Sequence, residues 1–440
     1  MVKKNKKFNT ILLILLLMIF AERVIFVFYE GIGTYGGGDD RGYVDAGIFF
    51  AKTGLITIWD NIPSARAMPF CAFFFGIISL IFGDGATYVG ICKLIYIFMS
   101  IATAYFTFKT IALFLPKIYG FLVLIPFLLP NFAWSDKILS TETPYILLMT
   151  ISLYITFMAG QERERERERE NPLCLSIIYG VTITLALTVR ANALILPLFS
   201  LCYLVIGKKL PLKNLVPSIL ITVICMCIFI VPWTIRNYNY CYDFIPITDG
   251  AGNPNYEGTY FEGCPSDDEI NYEPAAEAFR QKYKDYYSED GLPLNPSVET
   301  HLNRLWLNEK AKIRIKYWIQ TDLKGFLFAY FIKKPLTTVN NPWFWDVMYD
   351  YIGRYIGMLY KLNFILCIFA VVWSITKKEF CAEIISLCLF YWISTFITCL
   401  SYACERYNSM LMPIRNYIGI FAVYFIYNIL KDRKRNKITS

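Results

Sequence analysis

Histidine is all but missing: the 440-residue chain has one, His301. His-based catalytic triads and multi-histidine metal centres are set aside with it, and the single His is expected on the surface of a soluble cap. The 13 cysteines include no CxxC pair, so a structural zinc site is not expected. Neither the P-loop pattern nor the Rossmann glycine fingerprint occurs, which leaves no nucleotide cofactor to expect. Charge is thin, with Asp, Glu, Lys and Arg making up 18% of the chain. The net charge of +8 forms no nucleic-acid-binding face, because much of it lies in short basic clusters beside apolar runs.

What the chain has instead is apolar and aromatic residues, 56% and 17%, with a mean hydropathy of +0.42. That is too apolar for a soluble protein of this length and indicates an all-α polytopic membrane protein. The N-terminal lysines and the apolar run behind them resemble a signal peptide, but no small-residue cleavage site follows. They read as an uncleaved first helix. Crossing runs are expected at about 8–29, 87–108, 118–135, 144–159, 173–189, 191–206, 211–232, 352–375, 380–400 and 408–430, about ten in all. Residues 68–82 are short for a span and read as an interfacial or re-entrant helix. With that helix not crossing, Lys109 and Lys117, the Glu/Arg tract 162–170, Lys208, Lys209 and Lys213, and the basic tail all fall on one side, the cytoplasm. The tract itself is low-complexity and reads as a solvated spacer or a helix extension.

The opposite side collects Asp39, Asp40, Arg66, Asp136, Lys137, Glu142, Arg190, Arg236 and Arg406. In Gly36-Gly37-Gly38-Asp39-Asp40-Arg41-Gly42-Tyr43 the acid pair follows the first span directly. A plain solvated turn would look the same; the functional alternative is a general base, or two carboxylates holding a divalent cation such as Mg or Mn. An arginine at a span end ordinarily snorkels to lipid phosphate, yet several here fall on the side where positive charge is disfavoured. Planar guanidinium groups suit phosphate, and phosphate at a membrane surface points to a lipid phosphate. The chemistry served is glycosyl transfer from a polyprenyl-phosphate sugar: arginine steadies the leaving phosphate and a carboxylate takes the acceptor's proton.

Four stretches resemble integral-membrane glycosyltransferases of the GT-C superfamily, specifically the family 39 and 83-like enzymes related to protein mannosyltransferases and lipid A aminoarabinose transferases. They are Asp39-Asp40-Arg41-Gly42-Tyr43 with Ala51-Lys52-Thr53-Gly54, Ala65-Arg66-Ala67-Met68-Pro69, Pro232-Trp233-Thr234-Ile235-Arg236-Asn237-Tyr238 with Pro246-Ile247-Thr248, and Glu405-Arg406-Tyr407 with Met412-Pro413. The resemblance implies a GT-C-type fold with a small, mostly α extracytoplasmic cap and a first-loop acid at Asp39 with Asp40 beside it. It implies a second acid at Glu142, and donor-phosphate binding by Arg66, Arg190, Arg236 and Arg406. Tyr43, Asn237 and Tyr407 would position substrate. The acid pair is Asp-Asp where the family commonly has Asp-Glu, so which carboxylate acts stays open.

The expected organisation is a transmembrane module over 1–232 with a catalytic first loop at 30–67, a cap over 233–350, and C-terminal helices and basic tail over 351–440. Cys241 and Cys264, the two cysteines of the polar stretch, are open to disulfide formation on an oxidising side. The expected function is an inverting lipid-linked-sugar glycosyltransferase of a bacterial cytoplasmic membrane, with both termini inside and the active site outside. Its partners would be the polyprenyl-phosphate sugar donor, a lipid, glycan or protein acceptor, and the bilayer. Two alternatives share the features: a flippase or transporter of lipid-linked saccharides, and a surface-polysaccharide polymerase or ligase.

Overall fold

A computed structural model describes residues 2–59, 61–164, 172–344 and 348–439. Among the described residues the chain is helical and has no strand, only two isolated bridges, Thr57 with Pro63 and Tyr287 with Pro293. The first half comprises α1 (Val2–Phe28), α2 (Asp40–Thr53), α3 (Phe70–Phe82), α4 (Ala86–Phe114), α5 (Lys117–Leu122), α6 (Pro130–Lys137), α7 (Glu142–Glu164), α8 (Pro172–Val189), α9 (Ile195–Cys202) and α10 (Val216–Cys241). The polar segment holds α11 (Gly252–Glu257), α12 (Glu273–Lys282), α13 (Pro296–Thr321), α14 (Leu323–Phe328) and α15 (Lys334–Asn340). Then follow α16 (Tyr349–Lys377), α17 (Cys381–Ser401), α18 (Glu405–Ser409) and α19 (Met412–Thr439).

Six of these helices are long and apolar enough to cross a membrane: Lys7–Phe28, Ala86–Phe114, Glu142–Gln161, Val216–Cys241, Tyr349–Lys377 and Cys381–Ser401. The expected run at 118–135 is instead a pair, Lys117–Leu128 and Pro130–Lys137, bent by 64°, and counting it gives up to seven by length and composition; the expected run 408–430, within α19, is not among them. Proline accounts for the break: Pro130 opens α6, and a proline N-terminus cannot continue the preceding helix. Residues 173–189 and 191–207 are short apolar helices. So is α3, whose 13 residues reach about 20 Å against a hydrocarbon core of about 30 Å. It lies on α2 through two glycines: a Cβ on Gly47 would meet that of Phe75 at 2.3 Å, and one on Gly76 would meet the Phe50 ring at 2.5 Å. The Glu/Arg tract lies largely outside the described residues.

Between apolar helices in lipid, close packing and polar contacts do the work that water exclusion does in a soluble core. Ala104 and Thr107 of α4 are fully buried, and the Tyr417 hydroxyl of α19 reaches Thr107 at 3.4 Å. Thr156 of α7 and Ser200 of α9 share a hydrogen bond of 2.6 Å. Around them pack Phe108, Phe157, Phe199, Tyr203, Phe390 and Phe421. Arg23 of α1 is buried and pairs with Asp136 at 3.0 Å, while Ser100 and Thr143 donate to the other Asp136 oxygen. An ion inside such a bundle stays only when paired, as here.

α10 runs through the expected boundary at 232 and carries Pro232 inside it, ending at Cys241. Cys241 and Cys264 are both free thiols, and they sit in separate small cores, the first with Ala65 and Ile245, the second beside Trp318 and Tyr330. His301 is buried, contrary to the expectation of a surface residue. Its Nδ1 lies 2.7 Å from Asp249 and its Nε2 3.1 Å from Asp243, while Arg304 grips Asp249 at 2.7 and 2.8 Å. Both acids stand more than fifty residues before His301, so its own stretch of sequence carried no sign of them.

Candidate active site

Glu142 opens α7, in the first turn, where the helix dipole favours an acid. It is wholly buried, and both its oxygens are engaged. Oε1 receives Arg406 Nε at 2.6 Å and Arg190 Nη1 at 3.0 Å; Oε2 receives Arg406 Nη2 at 3.3 Å and the Ser140 hydroxyl. Arg190 stands at the break between α8 and α9, donates also to Thr141 Oγ1 at 2.8 Å, and lies over the Tyr407 ring at 5.2 Å. Arg406, on the short α18, turns its remaining nitrogen Nη1 to Asp39 Oδ2 at 2.6 Å. One guanidinium near the C-terminal end thus binds two carboxylates from the first third of the chain.

The acid pair divides. Asp39 precedes α2 without capping it, and its side chain is 41% exposed, with Oδ1 making no hydrogen bond among the described residues. Asp40 is buried; its Oδ2 accepts from the Gly36 N–H at 2.6 Å and its Oδ1 from the Arg41 N–H at 2.9 Å. It braces the glycine loop, and no Arg406 hydrogen bond reaches it among the described residues. Tyr43, one turn along α2, is close enough to feel Asp39, Arg406 and Glu142; burial, with Cys71 and Asp39, pushes its hydroxyl well above the usual range, so it stays a proton donor.

Arg66 makes no ion pair among the described residues; its guanidinium lies 4.1 Å from the centroid of Trp59, whose ring packs on Tyr43. Arg236 and Asn237, expected at the phosphate and substrate, are used elsewhere. Arg236 donates to the carbonyls of Ser64 and Ile56 and to Asn237 Oδ1, and the buried Asn237 donates to the Ile245 carbonyl. Both clamp the end of α10 to neighbouring loops. Nothing in a single sequence distinguishes an arginine satisfied by distant carbonyls from one left free for a ligand. Trp59, Ser140, Thr141 and Trp343, the last with Arg406 5.5 Å from its ring, went unnoticed because isolated aromatic and hydroxyl residues give no pattern.

An apolar cleft of about 290 Å³ opens beside the charged cluster, between α9 and α17. Leu194, Leu198, Ile397, Met410 and Leu411 line it, and Tyr407 joins it to Arg190. The expected cation site fits poorly. Asp40 has both oxygens on backbone N–H groups, and the Arg406 guanidinium lies between the carboxylates of Asp39 and Glu142, where a shared ion would lie. Among the described residues no three His, Cys, Asp or Glu side chains gather to hold a metal.

No protein-family model and no curated protein sequence matches the chain. Solved structures do. The archaeal oligosaccharyltransferase AglB from Archaeoglobus fulgidus, in complex with an inhibitory peptide and a dolichol-phosphate, superimposes with a TM-score of 0.60 at 13% identity, over 99% of this chain and 52% of that one. The Archaeoglobus fulgidus oligosaccharyltransferase in complex with Zn and sulfate does so with a TM-score of 0.55 at 13% identity, over 95% and 50%. This chain shares the fold of their membrane part. It spans about half the length of the archaeal structures it matches. ArnT from Cupriavidus metallidurans, bound to undecaprenyl phosphate, gives a looser overlap, with a TM-score of 0.41 at 10% identity over 92% and 77%. The shared fold and the apolar helices together make this a multi-pass membrane protein.

Proposed function

We propose that the protein is a glycosyltransferase that moves a sugar from a polyprenyl-phosphate donor to an acceptor on the extracytoplasmic face of a bacterial cytoplasmic membrane. The observation that carries this is Arg406 holding Asp39 and Glu142 together beside an apolar cleft. The fold shared with the archaeal oligosaccharyltransferase, and the dolichol-phosphate bound to that enzyme, support it.

The chemistry follows from the exposure of each group. Glu142, buried and doubly paired, keeps Arg190 and Arg406 in place and does not itself meet substrate. Asp39, half open to solvent, is the base. It takes the proton from the acceptor's nucleophilic group as that atom attacks the anomeric carbon. The bond from that carbon to the phosphate oxygen breaks, and the polyprenyl phosphate departs with the electron pair. A single displacement inverts the anomeric centre. Arg66, which has no carboxylate partner among the described residues, meets the growing phosphate charge, while Arg190 and Tyr407 frame the passage to the cleft that takes the first isoprene units. Tyr43 donates a hydrogen bond within the pocket.

The test is transfer of label by membranes carrying the protein, supplied in turn with a panel of polyprenyl-phosphate sugars and of nucleotide sugars. Label is expected to move from a lipid-linked donor with release of polyprenyl phosphate. Transfer from nucleotide sugars alone would overturn the proposal.

A further inference from the structure

Trp59 takes no part in the steps above, yet several features of the chain converge to hold it. Its φ is 61°, a left-handed conformation that a bulky residue keeps only where its surroundings enforce it. Gly42 leaves it room: a Cβ there would lie 2.1 Å from the Trp59 indole nitrogen. Tyr43 packs on the indole with ring centroids 5.8 Å apart. The loop that carries both Trp59 and Arg66 is tied from outside, with Arg236 on the carbonyls of Ile56 and Ser64, and Thr248 on those of Ala65 and Arg66. At 37% exposed, Trp59 is not there to fill a core.

What the indole carries is Arg66, its guanidinium 4.1 Å from the ring centroid. Attraction to the ring's π-face fixes the guanidinium without using its N–H donors, which a carboxylate partner would consume. A phosphate-binding arginine in this pocket needs that property, because a salt bridge would compete with the ligand. The geometry points to Trp59 as the positioning residue that presents Arg66 to the phosphate of the lipid donor. The inference rests on the reading of Arg66 given above and adds the residue through which it acts. Gly42 belongs to the same device, since any side chain there displaces the indole.

The experiment is binding of undecaprenyl phosphate, without sugar, to the full-length protein in nanodiscs, so that turnover is not required. Trp59→Leu keeps apolar bulk and removes the π-face; Trp59→Phe keeps both a face and the bulk. Trp59→Leu is expected to weaken binding about tenfold, Trp59→Phe by less than about threefold. The Trp59→Leu/Arg66→Ala double variant is expected to bind no more weakly than Arg66→Ala alone. Gly42→Ala reaches the same indole without altering it and is expected to match Trp59→Leu, which keeps the test decisive if Trp59→Leu unfolds. Unchanged binding in both Trp59→Leu and Gly42→Ala, or full additivity with Arg66→Ala, would overturn the inference. A wild-type protein that binds no undecaprenyl phosphate would overturn it together with the donor reading beneath it, and is told apart from those outcomes by the wild-type measurement alone.

Discussion

Arg406 lies 2.6 Å from Asp39, a residue 367 positions earlier in the chain, and its other nitrogens grip Glu142. A lysine presents a single point charge and cannot hold two carboxylates in one plane. Arg406→Lys is therefore expected to fold and insert but to lose at least about a hundredfold in turnover, a cost of about 3 kcal/mol on the barrier. Arg406→Ala leaves the buried Glu142 with Arg190 as its one charged partner, and is expected to destabilise the protein by about 3 kcal/mol. Turnover assays and thermal unfolding in detergent separate the two effects.

Asp40 is expected to matter for stability rather than chemistry. Its two oxygens accept two backbone N–H groups, and an amide offers only one acceptor. Asp40→Asn is expected to lower stability by about 1–2 kcal/mol while transfer continues at reduced yield. Equal turnover loss in Asp40→Asn and Asp39→Asn, at equal folded protein, would contradict the division of the pair.

Positive charge between Asp39 and Glu142 comes from a side chain. Transfer is accordingly expected to survive dialysis against a strong chelator, and added Mg or Mn is expected to change the rate by less than about twofold. Loss of transfer on chelation, restored by one of those ions, would contradict this.

Burial pushes the Asp249 carboxyl upward, but the hydrogen bond from His301 and the charge and hydrogen bond of Arg304 outweigh it and hold the group below its usual range. A carboxyl depressed on folding stabilises the protein above its unfolded value, about 4, and that contribution is lost as pH falls further. The unfolding temperature is expected to drop from about pH 5 to pH 3. Asp249→Asn is expected to melt lower at neutral pH and to show a shallower acid drop, read by scanning fluorimetry.

Much of the site was legible because charge is rare near the ends of apolar runs. Asp39, Glu142, Arg190 and Arg406 stood out for that reason, and the structure brings them together. Arg236 and Asn237 occupy the same kind of position, but their partners are carbonyls more than a hundred residues away or across a turn, which one sequence does not display. The surface expectation for His301 fails because its burial rests on Asp243 and Asp249, which its own stretch does not show. The helical fold followed from composition; of the ten expected runs, seven pass by length and composition when the pair bent at Pro130 is counted as one, 173–189 and 191–207 are short, and 408–430 lies in α19, outside that set. Trp59 had no local signal at all: its role lies in a backbone twist and in the absence of a side chain at Gly42.

The central claim is that Asp39 takes the acceptor's proton in a pocket fixed by Arg406. Single-turnover transfer in nanodiscs, from a labelled polyprenyl-phosphate sugar, measures it most directly when wild type and Asp39→Asn are compared with donor binding recorded alongside. The expected result is inversion at the anomeric carbon in the wild type and a loss of at least about a thousandfold in Asp39→Asn, with donor affinity within about threefold. Asp39→Asn turning over at the wild-type rate, or a product with retained configuration, would contradict the account.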